Sequence, residues 1–239
     1  MLQNKVRAAV AASVVLLGAF AFRANRAQSA QEVADTTAKV LAATATLATP
    51  VVGVNNVAAT ETVVLAGGCF WGVQAVFQHT KGVISARSGY AGGQKGTASY
   101  DEVSTGTTGH AEAVKVIFDP SKVTYNQLLA IYFSVVHDPT ELNFQGPDHG
   151  SQYRSEVFTT TAEQKTATEA YIKELAAKKV FNKPIVTLVA PLGGFYEAEA
   201  YHQDYATIHP NDMYIRINDA PKVENLKKQF ATLYRPEIK

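Results

Sequence analysis

The stretch Gly67-Gly-Cys-Phe-Trp-Gly72 holds the only cysteine of the chain, Cys69, between two glycines and two large aromatics. A lone cysteine is commonly a small buried hydrophobe. The local pattern argues for reactivity instead. Phe70, Val73, Val76 and Phe77 recur at helical spacing, which puts Cys69 at the start of a helix. A helix N-terminus carries about half a positive charge and unpaired amide N–H groups, so a thiol there is expected to ionise easily. The preceding glycines are expected to leave one approach to the sulfur open to a substrate. Such a turn could also hold an anion, but no nucleotide-binding glycine pattern accompanies it.

Glu112 is the second chemical residue. Along Ala111–Phe118 the even positions are Glu112, Val114, Val116 and Phe118. Strand side chains alternate faces, so Glu112 shares a face with three apolar residues. If it is buried there, its pKa rises and it becomes a proton donor near neutral pH. The bland alternative is a carboxylate turned to solvent at the strand's leading end. Two further clusters, Asp148 to Ser155 and Tyr201 to Tyr205, carry hydroxyls, amides and imidazoles, including Tyr153 and His202. Each alone is weak, because such residues are often packing groups with a satisfied polar tip.

These groups need elements to hold them. The pattern predicts strands at 61–66, 83–87, 111–119, 156–160 and 185–190, with Gly67-Gly68 ending the first. Capping boxes at Thr124–Gln127 and Thr161–Gln164 open helices running to about Val136 and Lys179. Asp138-Pro139 stops the first of these. A short helix is expected around Glu197–Tyr205. Residues 88–109 and 140–152 read as long loops, the former carrying Tyr90 and Tyr100, and loops of that length are usually functional. The mixture predicts an α+β domain of two layers, a sheet and its helices, with long active-site loops.

The bulk composition excludes several classes. The chain has 239 residues, 46% hydrophobic and 10% aromatic, with a formal net charge of +1. That balance points to no nucleic acid or other polyanion. One cysteine makes no intrachain disulfide and no cysteine-rich zinc site, and the histidines show no metal-ligand spacing, so no metal is expected. At the N-terminus, Lys5 and Arg7 precede an apolar run, Ala8–Phe22, that suits a secretory signal and is short of the roughly 20 residues a membrane span needs. Residues 1–30 are therefore expected to direct export, to the periplasm or as an uncleaved membrane anchor. The absence of acids before Glu32 keeps an organelle transit peptide open. Residues 31–60 read as an Ala/Thr-rich linker, leaving 61–239 as the working domain.

Taken together, Gly68-Cys-Phe-Trp71, Ser88-Gly-Tyr-Ala-Gly-Gly93, Gly109-His-Ala-Glu-Ala-Val114, His137-Asp-Pro-Thr140, Asp148 through Ser155 and Tyr201-His-Gln203 resemble the A-type methionine sulfoxide reductases, or peptide-methionine (S)-S-oxide reductases. The resemblance spans nearly all of residues 62–217 and implies a two-layer α/β sandwich of the ferredoxin-like kind. It implies Cys69 as the nucleophile that attacks the sulfoxide sulfur and is left as a sulfenic acid. It implies Glu112 as the acid that protonates the sulfoxide oxygen, with Tyr90 and Tyr153 as hydroxyl donors to that oxygen. Phe70 and Trp71 would wall the methyl pocket, and Asp148 and His202 would belong to the rim or its support. The implied substrates are free methionine sulfoxide and oxidised proteins, with no bound cofactor and a monomeric enzyme.

Many members of that family carry further cysteines near the C-terminus that resolve the sulfenic acid as a disulfide. Here Ile208 to Lys239 contains none. An external thiol reductant, of the thioredoxin, glutaredoxin or small-thiol type, is therefore expected to attack Cys69 directly. Phe144 also stands where other members have an arginine between Asn143 and Gln145. Two other classes compete. One is another Cys-based activity, a thiol peroxidase or a cysteine hydrolase, the latter needing His110 or His202 paired to Cys69 as base. A binding module would use the Phe70/Trp71 surface without turnover.

Overall fold

A computed structural model describes residues 35–42 and 60–238. The expectations for residues 1–30 lie outside the described residues. Residues 35–42 are helical, and the chain divides into two units after Ala38. The second unit thus begins within the stretch read as linker. Val40 is fully buried in the main core, and the Val40 and Ala42 carbonyls accept from Tyr171 Oη (3.5 Å) and Lys178 Nζ (3.3 Å). A single apolar side chain with two carbonyl partners is too short a signal to show as a period.

The sheet has six strands, β1 (Glu61–Gly67), β2 (Val83–Ala91), β3 (Ala111–Phe118), β6 (Ser155–Thr159), β7 (Leu188–Pro191) and β8 (Phe195–Glu197), in the order β7-β6-β1-β3-β2-β8. Only β6 and β7 run parallel. A two-residue pair, β4 (Phe144–Gln145) and β5 (Asp148–His149), forms a separate hairpin. Helix α1 (Phe70–Gln78) joins β1 to β2, and β3 inserts between those two strands, which is split β-α-β connectivity. Helices α2 (Tyr100–Val103), α3 (Tyr125–Ile131), α4 (Ala162–Ala177), α5 (Tyr205–Ile208) and α6 (Ala220–Gln229) also belong to this unit.

Strand alternation sorts the core into two clusters. Val63 and Leu65 of β1 join Val114 and Val116 of β3 in the main one, under α1 and α3, while Val64, Ala66, Ala111 and Ala113 face the other way with Phe158. α1 packs across β2 and β3 and against α6; α4 packs on α3 and β6. The expected capping box at Thr124 is present in full: Thr124 Oγ1 accepts from the Gln127 N–H (3.2 Å), and Gln127 Oε1 accepts from the Thr124 N–H (2.9 Å). That helix ends in a π-turn, Tyr132–Val136, before His137 turns extended.

Several expectations need correction. β2 runs on through Ser88–Ala91 because these residues pair with both β3 and β8, so Tyr90 is a strand residue. At α4 the cap is one-sided: Thr161 Oγ1 accepts from Gln164, but Gln164 turns to the Thr160 N–H (3.1 Å) and the Thr62 carbonyl (3.0 Å), tying the helix to β1. Strand β7 starts only at Leu188, since the Val186 N–H goes to Pro139 (2.8 Å) and the Thr187 hydroxyl to Ser155 (2.7 Å). The tail, given no element from sequence, is helical over 213–229 with a π-turn at Ile215–Asp219.

Thr124→Ala removes one half of the reciprocal cap and is expected to lower stability by about 1 kcal/mol. Urea unfolding checks this: the midpoint should fall with the slope unchanged.

Candidate active site

Strand β1 ends at Gly67 and delivers the chain to Cys69, which caps α1 and is 8% exposed. The glycines before it do not clear an approach for substrate, as expected from sequence. A Cβ on Gly67 would stand 3.0 Å from His137, and one on Gly68, whose φ is +86°, 2.8 Å from Gln145. They instead let His137, at the end of the π-turn, and Gln145, in β4, approach the backbone before Cys69 closely.

Glu112 opens β3 and is 4% exposed, so the buried reading of its strand face holds. The Phe70 N–H, first amide of α1, donates to Glu112 Oε2 at 2.9 Å. Burial pushes the Glu112 pKa up to about 8; the Phe70 N–H opposes this, and Asp148 and Asp219 add to it. The carboxyl is therefore mostly protonated at neutral pH.

The thiol departs from expectation. Burial raises the Cys69 pKa well above its ordinary value, and Glu112 and Asp219 raise it further. The Trp71 N–H and Lys222 pull the other way without prevailing. Desolvation outweighs the helix N-terminus here.

Tyr90 is fully buried and faces Glu112 across the β2–β3 register, but its hydroxyl donates to Glu199 Oε2 at 2.8 Å. It supports the site from behind, and a hydroxyl so occupied is not aimed at a substrate oxygen. The tyrosines whose ionisation is opposed by both Glu112 and Cys69 are Tyr153 and Tyr100, each also raised first by burial. Tyr100, read from sequence only as a loop residue, joins Tyr153 in the electrostatic surroundings of Glu112 and Cys69. Glu199 positions it: Oε1 accepts the Tyr100 N–H at 2.9 Å while Oε2 holds Tyr90. Tyr153 sits on a 3-10 turn, Ser151–Tyr153, pinned by Arg154, which donates to Glu156 (2.6 Å), Ser151 (3.0 Å) and Gly109 (3.0 Å).

Aromatic walls enclose the remaining side. Phe70 is buried, with ring centroids of Tyr90 and His202 at 5.9 and 5.1 Å. Trp71 is half-buried, stacked on Tyr205 at 3.8 Å and edge-on to Tyr214 at 5.9 Å. The indole N–H donates to His202 Nδ1 at 3.2 Å, so the His202 proton sits on Nε2. Burial lowers the His202 pKa, and the ring is neutral. The Tyr214 hydroxyl bonds Asp148. His202 and Asp148 thus each hold one of these aromatic side chains, Trp71 and Tyr214. Gln203 fixes the segment by imitating a strand: its side-chain amide exchanges bonds with the Ser88 N–H (3.1 Å) and carbonyl (2.9 Å). Sequence reasoning missed Tyr100, Glu199, Tyr214, Asp219 and Lys222. An i,i+3 acid–base pair, Asp219 and Lys222, was the one legible hint among them.

Neither histidine serves Cys69 as a base. Both His110 ring nitrogens are taken, by the Gly93 N–H (3.2 Å) and the Gln94 carbonyl (2.9 Å), and His202 Nδ1 by Trp71. Among the described residues no three His, Cys, Asp or Glu side chains converge as metal ligands.

Comparison with known proteins agrees with this geometry. Residues 61–234 match the family model described as peptide methionine sulfoxide reductase. A relative from Mesorhizobium japonicum, peptide methionine sulfoxide reductase MsrA 2, is 57% identical over 174 residues, covering 73% of this chain and 89% of that protein. The Thermus thermophilus MsrA is 49% identical over 176 residues, 74% of this chain and 98% of its own. Among solved structures, reduced Mxr1 from Saccharomyces cerevisiae superposes with a TM-score of 0.61 at 32% identity, over 66% of this chain and 90% of that one. Methionine sulfoxide reductase A of Corynebacterium diphtheriae gives 0.57 at 37% identity, over 63% and 76%. The chain belongs to the peptide methionine sulfoxide reductase family.

The Glu112 carboxyl gives a stability signature. Its folded pKa, about 8, lies above the ordinary 4.5, so the fold resists an ionisation that the unfolded chain undergoes freely. Its contribution is whole below about pH 4.5 and is lost as pH rises through about 8. Glu112→Gln should therefore be more stable than the parent at pH 8, with the gap closing towards pH 4.5; denaturant melts at several pH values measure it.

Proposed function

We propose that this protein reduces the S epimer of methionine sulfoxide to methionine, free and within oxidised proteins, and so repairs oxidised proteins. Cys69 is the nucleophile and Glu112 the proton donor. The observation that carries this is the Phe70 N–H to Glu112 Oε2 bond, which places a carboxyl protonated at neutral pH at the helix start that bears the chain's one thiol.

Sulfoxide oxygen leaves poorly unless protonated. Glu112 supplies the proton, and Tyr100 and Tyr153 donate hydrogen bonds to the same oxygen in a site with little water. The substrate S–O bond breaks, oxygen passes to the Cys69 sulfur, and two electrons pass from that sulfur to the substrate sulfur. Methionine leaves and Cys69 sulfenic acid remains. The thiol proton, lost on attack, replaces the one that Glu112 gave, so this half-reaction consumes none. Phe70 and Trp71 supply apolar surface to the S-methyl group, a contact worth about 1–3 kcal/mol of discrimination.

With no second cysteine in the chain, reduction comes from outside. One external thiol condenses with the sulfenic acid, releasing water and leaving a mixed disulfide; a second thiol displaces Cys69 and carries off the disulfide. Thioredoxin-like, glutaredoxin-like and small thiols all fit this step. Residues 1–30 are proposed to export the enzyme to the periplasm or hold it at a membrane, with organelle import as the alternative. Among the described residues no helix is long and apolar enough to cross a membrane.

Methionine formation from each separate sulfoxide epimer, with excess dithiothreitol, tests the reading. The S epimer alone should turn over. Cys69→Ser should be inactive, and Glu112→Gln slower by about 10²–10⁴-fold. Parent activity should fall as pH rises through about 8. No methionine from either epimer, by protein whose Cys69 still alkylates, would overturn it.

A further inference from the structure

Asp219 has no assigned part in the chemistry above, yet its placement is costly. It is fully buried and ends the π-turn that interrupts the tail helix, and π-turns concentrate at functional positions. Its Oδ1 takes the Lys222 ammonium at 3.1 Å. Its Oδ2 is buried with no hydrogen-bond partner among the described residues. A buried carboxylate with an unfilled oxygen destabilises a fold, so packing does not account for it.

The pair leans on the first turn of α1. A Cβ on Gly72 would stand 2.1 Å from Asp219 Oδ1 and 2.8 Å from Lys222 Nζ, so only glycine admits the pair here. Gly72 follows Cys69 by three residues. Cys69 is the N-cap residue of α1, without a side-chain capping bond, and Gly72 lies in the helix's first turn. The ion pair and the sulfur therefore flank the same turn.

We propose that Asp219 and Lys222 form a positioning pair that sets the nucleophilicity of Cys69 with opposite signs, Lys222 raising it and Asp219 restraining it. This rests on Cys69 being the reactive group. The other groups facing the sulfur are Glu112 from β3, Tyr100 from α2, Tyr153 from the 3-10 turn and Tyr214 from the tail helix, and Lys222 is the cation in this set. The electrostatic balance agrees: after burial and Glu112, Asp219 opposes thiolate formation, whereas Lys222 favours it.

Such restraint matters in a chain with a single thiol. The thiolate attacks hydrogen peroxide and breaks its O–O bond, giving sulfenate and water; one proton makes this the sulfenic acid, and a second peroxide oxidises it to irreversible sulfinic acid with release of another water. No neighbouring cysteine can trap the first product. Asp219 adds to burial and Glu112 in keeping the resting sulfur protonated and slow to enter that path.

Because Cys69 is the only cysteine, iodoacetamide alkylation of the full chain reads it alone, without any sulfoxide turnover. The rate is followed against pH for the parent, Lys222→Met, Lys222→Arg and Asp219→Asn. Lys222→Met should raise the midpoint by about one pH unit, and Asp219→Asn should lower it by a similar amount. Lys222→Arg should stay near the parent. Asp219→Asn should also gain sulfinic acid faster under hydrogen peroxide, read as added mass on Cys69. Shifts of the same sign in Lys222→Met and Asp219→Asn, or no shift in either, would sink the proposal. If Asp219→Asn fails to fold, an unmoved midpoint in Lys222→Met still overturns it. A parent that alkylates normally yet reduces no sulfoxide counts against the proposed function and leaves this test intact.

Discussion

The hydrogen bond from the Phe70 N–H to the buried Glu112 carboxyl is the joint on which the site depends. It ties the start of α1 to the start of β3, two elements separated by the whole of β2 and a long loop. Without it, the first amide of α1 would be a buried donor with no partner, and Glu112 a buried acid with nothing to orient it. The bond also decides chemistry. An amide at a helix start ordinarily favours a carboxylate, yet burial wins and the pKa settles near 8. A group poised there can give up a proton near neutral pH and take one back, which a fully ionised or permanently protonated carboxyl could not do.

The same contest is played at the sulfur with the same winner. Helix start, Trp71 N–H and Lys222 favour the thiolate, while burial, Glu112 and Asp219 disfavour it. Two groups that would repel as anions are thus both neutral at rest. This coupling means that neither titrates alone: ionising Glu112 holds the proton on Cys69, and the reverse. The surrounding tyrosines, Tyr100, Tyr153 and Tyr214, add hydroxyl dipoles and no charge, since burial also raises their pKa values. These tyrosines therefore make the surroundings of Cys69 polar without adding charge.

What was legible in the sequence follows the range of each physical cause. Glu112 could be found because strand alternation is local, and Cys69 because helix periodicity is local. The capping box at Thr124 was legible for the same reason, within four residues. Tyr100 was not, because the choice between it and Tyr90 is made by Glu199, about a hundred residues further along, whose carboxylate occupies one hydroxyl and anchors the other residue's backbone. The Gly67-Gly68 pair was misread for a similar reason: His137 and Gln145, which fill the space above it, arrive from a distant loop. The direction of the thiol's pKa was missed because a helix end is visible in sequence and the depth of its burial is not.

The site is consequently assembled from two halves with different duties. The first half, β1 through β3, supplies the proposed nucleophile and acid on hydrogen-bonded elements. The second, from Phe195 onward, supplies Glu199, His202, Tyr205 and Tyr214, which hold the aromatic walls, and the proposed Asp219–Lys222 positioning pair. That second half also carries four exposed apolar side chains, Tyr201, Ile208, Met213 and Ile217. A segment that must both face water and tune a buried sulfur cannot be held by packing alone. It is held by polar clasps: Gln203 on Ser88, Asp204 on Gln78 at 2.6 Å, and Asp148 on Tyr214. Each clasp is directional, so small displacements of the segment change the geometry around Cys69 while leaving the β1–β3 chemistry in place.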